Sequence, residues 1–239
     1  IKKEQFIIGD DIGFGKTIQF LSFLDYINKN SNWHGPFMVI THMDQILKWK
    51  QEIESWKNIN LYPIIYDGDF DSCLILREFG FPSVDENGNV KDNNLSFNIL
   101  LISYELYSRD QDKLQNYKWQ IVCLDNPIDV AFSRFQLSTF IQLNDSYKVI
   151  LCDNLANFSI QQIIHVLNFI RPGIKWTNSL FTTIYQERTR QLLESVVLCR
   201  TKQVINIEND LINEYLAFVM PTSVQKIMLR LIKLHELSK

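Results

Sequence analysis

The sequence predicts an α/β fold, a mostly parallel sheet covered by helices on both faces. Three observations carry that expectation. Short apolar runs recur along the chain with helical periodicity between them. The runs are continuously apolar instead of alternating, as expected of strands buried on both sides. A glycine-rich turn joins the first run to the first helix, and ligands in such sheets sit at the carboxyl ends of strands. With 239 residues, 46% hydrophobic and 21% charged, the chain suits one large α/β domain or two small ones.

Taken in order, Phe6-Ile7-Ile8 reads as a strand and the run after Thr17, with Ile18, Phe20, Leu21 and Leu24, as a helix. Phe37-Met38-Val39-Ile40 is a second strand. Asp44 is the expected N-cap of a helix carrying Ile46, Leu47, Trp49, Ile53 and Trp56. Residues 61–66 form a third strand, and Asp71 is expected to cap a short helix through Leu74, Leu76 and Phe79. Residues 81–96 are polar, with Asn-Gly and Asn-Asn pairs, and predict a surface loop. Residues 98–102 are a fourth strand, followed by a helix starting at Ser103-Tyr104-Glu105, where Tyr104 serves as a helix start. Residues 120–125 are a fifth strand, ending in the carboxylate of Asp125. A helix over 132–143, a sixth strand over 148–152 and a helix over 159–170 complete the series. Arg171-Pro172-Gly173 stops the last of these. From Thr177 the chain turns helix-rich, apart from apolar runs at 204–207 and 216–220, and 223–237 is an amphipathic helix. The expected division is a nucleotide-binding lobe over 1–175 and a helical extension over 176–239. Trp49, Trp56 and Phe169 are expected in the core, Arg134 and Lys148 on the surface.

The stretch QFIIGDDIGFGKT, residues 5–17, carries the chemistry. Strand, glycine loop, Lys-Thr and helix is the order a phosphate cradle needs. Glycines let backbone N–H groups turn toward an anion, and the helix N-terminus adds partial positive charge. Lys16 would reach the β/γ-phosphates, and Thr17 would offer its hydroxyl to Mg²⁺. The usual spelling has Gly where Asp10 stands, so a tight strand-to-helix turn with a surface lysine is the competing reading. The expectation is that the pocket at Gly13–Thr17 faces Asp125 across adjoining strand tips, with one hydrated cation bridging them.

Other classes are weakened by composition. Cys73, Cys123, Cys152 and Cys199 lie far apart with no C-x-x-C pair, and His34, His42, His165 and His235 show no ligand spacing. That reads as reduced thiols in an intracellular protein, not a disulfide frame or a zinc site. No apolar run has membrane-spanning length and no signal-peptide pattern opens the chain, so no membrane is expected. The first residue, Ile1, predicts a fragment or a processed chain. A net charge of −3 lacks the basic footprint of a nucleic-acid binder at chain level, although a local patch stays open.

Several segments together resemble the Snf2 family of helicase-like motors, the ATPases of chromatin remodellers, and most nearly its chromodomain-helicase (CHD) branch. Residues 10–17, DDIGFGKT, are similar to that family's D-E-M-G-L-G-K-T, which itself has Asp at the first position. Residues 35–40, GPFMVI, resemble G-P-F-L-V-V, and 49–56, WKQEIESW, resemble W-Q-R-E-F-E-x-W. Residues 97–105, FNILLISYE, resemble F-N-V-L-L-T-S-Y-E. Residues 163–172 look like the helix after motif III, and 197–202, VLCRTK, weakly resemble F-L-L-R-R-x-K. Order and spacing hold over roughly 5–225.

The resemblance implies a RecA-like P-loop lobe, helicase lobe 1, that binds ATP and Mg²⁺. It places nucleotide at Asp11, Gly13, Phe14, Gly15, Lys16 and Thr17, and metal at Thr17 and Asp125. It implies DNA or nucleosomes, remodeller subunits and a second motor lobe as partners, and the nucleus as location. The departures fall on the chemistry. The family's D-E-A-H is here Asp125-Asn126-Pro127-Ile128. Asp125 keeps a hard oxygen ligand for Mg²⁺, but Asn126 replaces the catalytic glutamate and is no base. Losing a general base costs about 10²–10⁴-fold in rate. The family's T-G-T-P-L-Q-N-N is here CDNLANFS at 152–159, and little of it survives. Asp44 falls where the family holds the DNA backbone, and its charge opposes phosphate there. Three outcomes follow: a motor lobe with ATP binding retained, a pseudo-ATPase scaffold or DNA/histone platform, or an interaction module without nucleotide.

Overall fold

The computed structural model describes residues 5–31, 33–56, 59–84, 90–127, 146–153, 158–171 and 196–201. The elements are β1 (Phe6–Ile8), α1 (Lys16–Asn30), β2 (Phe37–Thr41), α2 (Met43–Ser55), β3 (Pro63–Tyr66) and α3 (Phe70–Ile75). A π-helical turn, Leu76–Gly80, precedes β4 (Pro82–Val84) and β5 (Val90–Leu95). Then come β6 (Ile99–Ser103), α4 (Tyr104–Leu114), β7 (Ile121–Asp125), β8 (Tyr147–Leu151), α5 (Ile160–Ile170) and β9 (Val197–Leu198). The chain divides into one compact unit through Ile205 and a second from Asn206 to Lys239. The second lies outside the described residues, as do the helix expected over 132–143, Arg134 and the expected boundary near 175.

Among the described residues, seven strands form one sheet in the order β3-β6-β2-β7-β8-β1-β9, and their pairings are all parallel. The predicted fold class is the observed one. Successive residues of a strand point to opposite faces, and here both faces are apolar. Phe37, Val39, Leu101, Cys123 and Leu151 pack on one side with Phe20, Leu24, Trp49 and Ile53 of α1 and α2. Met38, Ile40, Leu100, Val122 and Ile150 pack on the other with Tyr104 and Tyr107 of α4 and Leu167 and Phe169 of α5. β9 extends the sheet beside β1, with Ile7 opposite Val197 and Ile8 opposite Leu198.

Several local expectations need correction. Residues 81–96 are not simply a surface loop. β4 and β5 pair antiparallel across them, and Phe81 is buried against Phe97 with ring centroids 4.8 Å apart. Asp44 does not cap α2; His42 is the N-cap, without a side-chain bond, and Asp44 sits in the first turn. There a carboxylate still meets the positive end of the helix dipole. Asp69, not Asp71, caps α3, accepting from the Ser72 backbone N–H at 2.8 Å. Lys148 is not a surface charge. It is 1% exposed, and its ammonium lies 4.9 Å from the centre of the Phe169 ring. Its place in β8 forced the burial, since both faces of a central strand are covered. Ser103 and Ser159 start α4 and α5 as expected, Ser159 through a full capping box. Cys73, Cys123 and Cys152 are buried free thiols, while Cys199 is exposed.

Candidate functional site

The site forms at three strand tips that stand in register. Ile8 of β1 is level with Leu151 of β8, and Leu151 is level with Asp125 of β7. β8 therefore lies between the glycine loop and Asp125, which the sequence had set on adjoining strands. At about 4.8 Å per strand step, the two ends are about 10 Å apart. A cleft of about 560 Å³ spans them, lined by Lys16 and Thr17 on one side and by Asp125 and Asn126 on the other. His42, Asp44 and Asp153 also line it.

On the β1 side, the loop turns through Gly13 at φ 95° and Gly15 at φ 68°. A Cβ would be strained at either, by roughly 1–2 kcal/mol in the left-handed region. Gly15 is the N-cap of α1 and provides no side chain to its amides. α1 thus opens on the cleft with Lys16 and Thr17 in its first turn, where helix N–H groups favour an anion. Gln19, one turn on, donates to the Phe14 carbonyl at 2.8 Å and to Asp10 Oδ2 at 3.1 Å. Asp10 is fully buried. It accepts from the Arg200 backbone N–H at 2.9 Å and pairs with the Arg200 guanidinium. Burial acts to raise its carboxyl, but the Arg200 and Gln19 bonds outweigh that and hold it below its ordinary value. The first loop position is therefore a brace and not a phosphate contact. Asp11 donates its backbone N–H to the Arg200 carbonyl at 3.1 Å, and Phe14 closes the turn on the Asp11 carbonyl at 3.4 Å.

Lys16 is engaged by the protein itself. Its ammonium donates to Asp153 Oδ1 at 2.9 Å, to the Asp10 carbonyl at 2.8 Å and to the Asp11 carbonyl at 3.4 Å. A lysine has three protons to donate, and three oxygens receive them.

On the β7 side, Asp125 Oδ2 accepts from Thr41 Oγ1 at 2.9 Å and Trp49 Nε1 at 2.8 Å. Its backbone carbonyl accepts from the Tyr104 hydroxyl at 2.9 Å. Burial pushes the Asp125 carboxyl above its ordinary value, against the Trp49 and Thr41 bonds and the charges of His42 and Lys16. Asn126 adopts a left-handed backbone at φ 48°, a region asparagine enters more readily than glutamate. It anchors that tip by donating its N–H to the Leu151 carbonyl at 2.7 Å. His42 Nε2 lies 3.1 Å from the Asn126 carbonyl oxygen.

The donor set fits a phosphate with a hard cation. It comprises an ammonium, a hydroxyl, uncapped helix amides and, across one cleft, a carboxylate with one oxygen bound by neutral donors. Among the described residues, no group of three His, Cys, Asp or Glu side chains makes a ready metal cage. The structure brings together Gly13, Phe14, Gly15, Lys16, Thr17, Asp125 and Asn126 around the loop and cleft. Sequence reasoning missed Asp153, Thr41, Gln19 and Arg200. It placed Trp49 in the core, where it is, without its bond to Asp125, and gave Tyr104 no role beyond starting α4. The position of Asp153 just past an apolar run was the available signal, by the same strand-tip rule that selected Asp125.

A family profile for the SNF2-related domain matches residues 2–236. The chain is 29% identical over 197 residues to the chromodomain-helicase-DNA-binding protein 3 homolog of Caenorhabditis elegans, covering 77% of this chain and 11% of that protein. It is 25% identical over 235 residues to human chromodomain-helicase-DNA-binding protein 8, covering 94% of this chain and 9% of that protein. The chain thus spans about a tenth of the length of these curated relatives. Among solved structures, the Sulfolobus solfataricus SWI2/SNF2 ATPase core in complex with dsDNA matches with a TM-score of 0.64 at 18% identity. That match covers 87% of this chain and 42% of the other, and it establishes the fold. The profile and the RecA-like sheet agree with the motifs read from the sequence: the chain belongs to the SNF2-related domain family and corresponds to its first lobe.

Proposed function

We propose that this chain binds Mg·ATP or Mg·ADP as the nucleotide-binding lobe of a CHD-type chromatin-remodelling motor, with hydrolysis weakened at Asn126. The observation that carries the reading is the single cleft bordered by Lys16 and Thr17 on one side and Asp125 on the other. Gly13 and Gly15 would present backbone N–H groups, whereas the N–H groups of Asp11 and Phe14, which the sequence also assigned to nucleotide, are taken by the Arg200 and Asp11 carbonyls. Lys16 would supply a positive charge, and Thr17 and Asp125 oxygens for Mg²⁺. Bound nucleotide supplies the phosphoryl group and its Mg²⁺ neutralises phosphate charge. This lobe would orient them, and Asn126, which lines the cleft, offers no basic group to take a proton from an attacking water. In the proposed organisation, residues 1–175 are the lobe and 176–239 lead toward a second lobe. An arginine from such a lobe is worth about 10³–10⁵ in phosphoryl transfer, so this chain alone should turn over slowly. DNA or nucleosomes, remodeller subunits and a nuclear location belong to the same proposal; the relatives' names support DNA, and the others follow from the family resemblance.

A second reading, a pseudo-ATPase scaffold associated with chromatin or DNA, draws on Asn126 and on the lysine held by Asp153. Titration of fluorescent Mg·ADP into wild type and Lys16→Ala tests nucleotide binding. Saturable binding lost in the variant is expected, and no wild-type signal would end the proposal. Steady-state ATPase of the full-length protein, with and without nucleosomes, separates motor from scaffold. Asn126→Glu in the two-lobe protein is expected to raise that rate; an unchanged rate would mean other losses dominate.

A further inference from the structure

We propose that Asp153 is the affinity-setting residue of the cleft: its carboxylate sits on Lys16 in the place of a phosphate, and an incoming nucleotide must displace it. The proposal rests on the nucleotide-binding reading above and adds the residue that governs it.

Topology puts Asp153 there. β8 is the strand between the glycine loop and Asp125, and Asp153 lies two residues past its end at Leu151. Its carboxylate therefore emerges between the two halves of the cleft and reaches Lys16 at 2.9 Å. The other two Lys16 bonds go to backbone carbonyls of its own loop, Asp10 and Asp11, which stay in place. Only the Asp153 bond can be exchanged without unmaking the turn. The geometry is also that of a displaceable partner. The lysine side chain is 15% exposed and the Asp153 side chain 42%. An open carboxylate regains water when it leaves, so the pair resists exchange only modestly.

The charge of the cleft points the same way. Its lining carries the carboxylates of Asp44, Asp125 and Asp153 against the single ammonium of Lys16, among the described residues. A bare polyphosphate meets repulsion there, and the Asp153–Lys16 pair removes the one cation that would receive it. Removing the Asp153 charge should tighten binding on the order of fivefold, the scale of a part-exposed ion pair.

The test uses the whole 239-residue chain as wild type, Asp153→Asn, Asp153→Gly and Lys16→Ala. Asp153→Asn keeps the side-chain shape and so guards against a folding artefact of the glycine. One measurement is the affinity for fluorescent Mg·ADP. The other, without nucleotide, is the rate of Lys16 acylation by a water-soluble amine reagent, mapped by mass spectrometry. Both Asp153 variants are expected to bind about fivefold tighter and to expose Lys16 to faster labelling. Equal affinities in wild type and both variants, with binding lost in Lys16→Ala, would overturn the role of Asp153 and leave nucleotide binding standing. Unchanged labelling in both variants would show that the pair does not form in solution and overturn it too. Faster labelling with no binding by any variant would reject the nucleotide reading itself, and the affinity role with it.

Discussion

Two inward carboxylates, Asp110 on α4 and Asp125 at the tip of β7, are held in opposite ways. Asp110 is 1% exposed and saturated with donors. It accepts from the Tyr66 hydroxyl at 2.8 Å and from Arg109 Nη2 at 2.8 Å, with Arg77 Nη1 at 3.5 Å and Lys113 Nζ at 3.5 Å. Burial acts to raise its carboxyl, yet Arg109 and Tyr66 outweigh burial and keep it below its ordinary value. Asp125 has two neutral donors, both on the same oxygen, and burial prevails. The first arrangement is finished and staples α4 to the β3 edge. The second leaves a carboxylate whose charge the fold disfavours, beside a cleft able to admit a cation. Saturation marks a structural ion, and incompleteness marks a candidate site.

Breaking the saturated hub should have the largest effect. Asp110→Asn leaves Arg77, 8% exposed at its side chain, without its counter-charge, and loss of about 3–5 kcal/mol is expected in urea unfolding. Asp125→Asn should do the reverse. It retains an acceptor for Thr41 and Trp49 and removes a charge the fold disfavours, so the melting temperature at pH 7 should rise while Mg·ADP affinity falls. A fall in melting temperature would contradict this account of Asp125.

The pH dependence sharpens the contrast because the signs differ. For Asp110 and Asp10, held below the ordinary 3.8, the stabilisation is present above 3.8 and is lost as pH falls through their lower folded values. For Asp125, raised above 3.8, the contribution is complete below 3.8 and is lost as pH rises through the folded value. Unfolding free energy against pH should therefore flatten on the acid side in Asp110→Asn, whereas Asp125→Asn should remove a decline above pH 3.8. Lys148→Met replaces a buried ammonium that has no hydrogen-bond acceptor among the described residues. About 1 kcal/mol of stabilisation is expected by chemical denaturation. The smallest effect belongs to Thr41→Val, which removes one bond to Asp125 and should cost no more than about 1 kcal/mol.

The legible part of the fold was the part written in short-range pattern. Six of the apolar runs became strands within a residue or two of their expected limits, since a central strand needs apolar residues on both faces. The β4–β5 hairpin was illegible because its polar sequence lacks that signature. The burial of Lys148 was illegible because charge suggested surface while strand position enforced core. In the candidate site, Lys16 and Thr17 were recognisable at the start of the helix after the glycine loop, and Asp125 at a strand end. Asp153 obeyed the same rule but was read as the remnant of a lost motif.

By itself the sequence determined the strand-loop-helix unit at 6–30, the carboxylate at the end of β7 and the family. These depend on neighbours in the chain and on the backbone freedom of Gly13 and Gly15. Only the tertiary structure decided the partners: Trp49 on Asp125 across 76 positions, Asp153 on Lys16 across 137, and Arg200 on Asp10 across 190. The reason is strand order. Placing β8 between β1 and β7 brings distant tips into one row, and no local pattern in a chain encodes which strand will lie beside which.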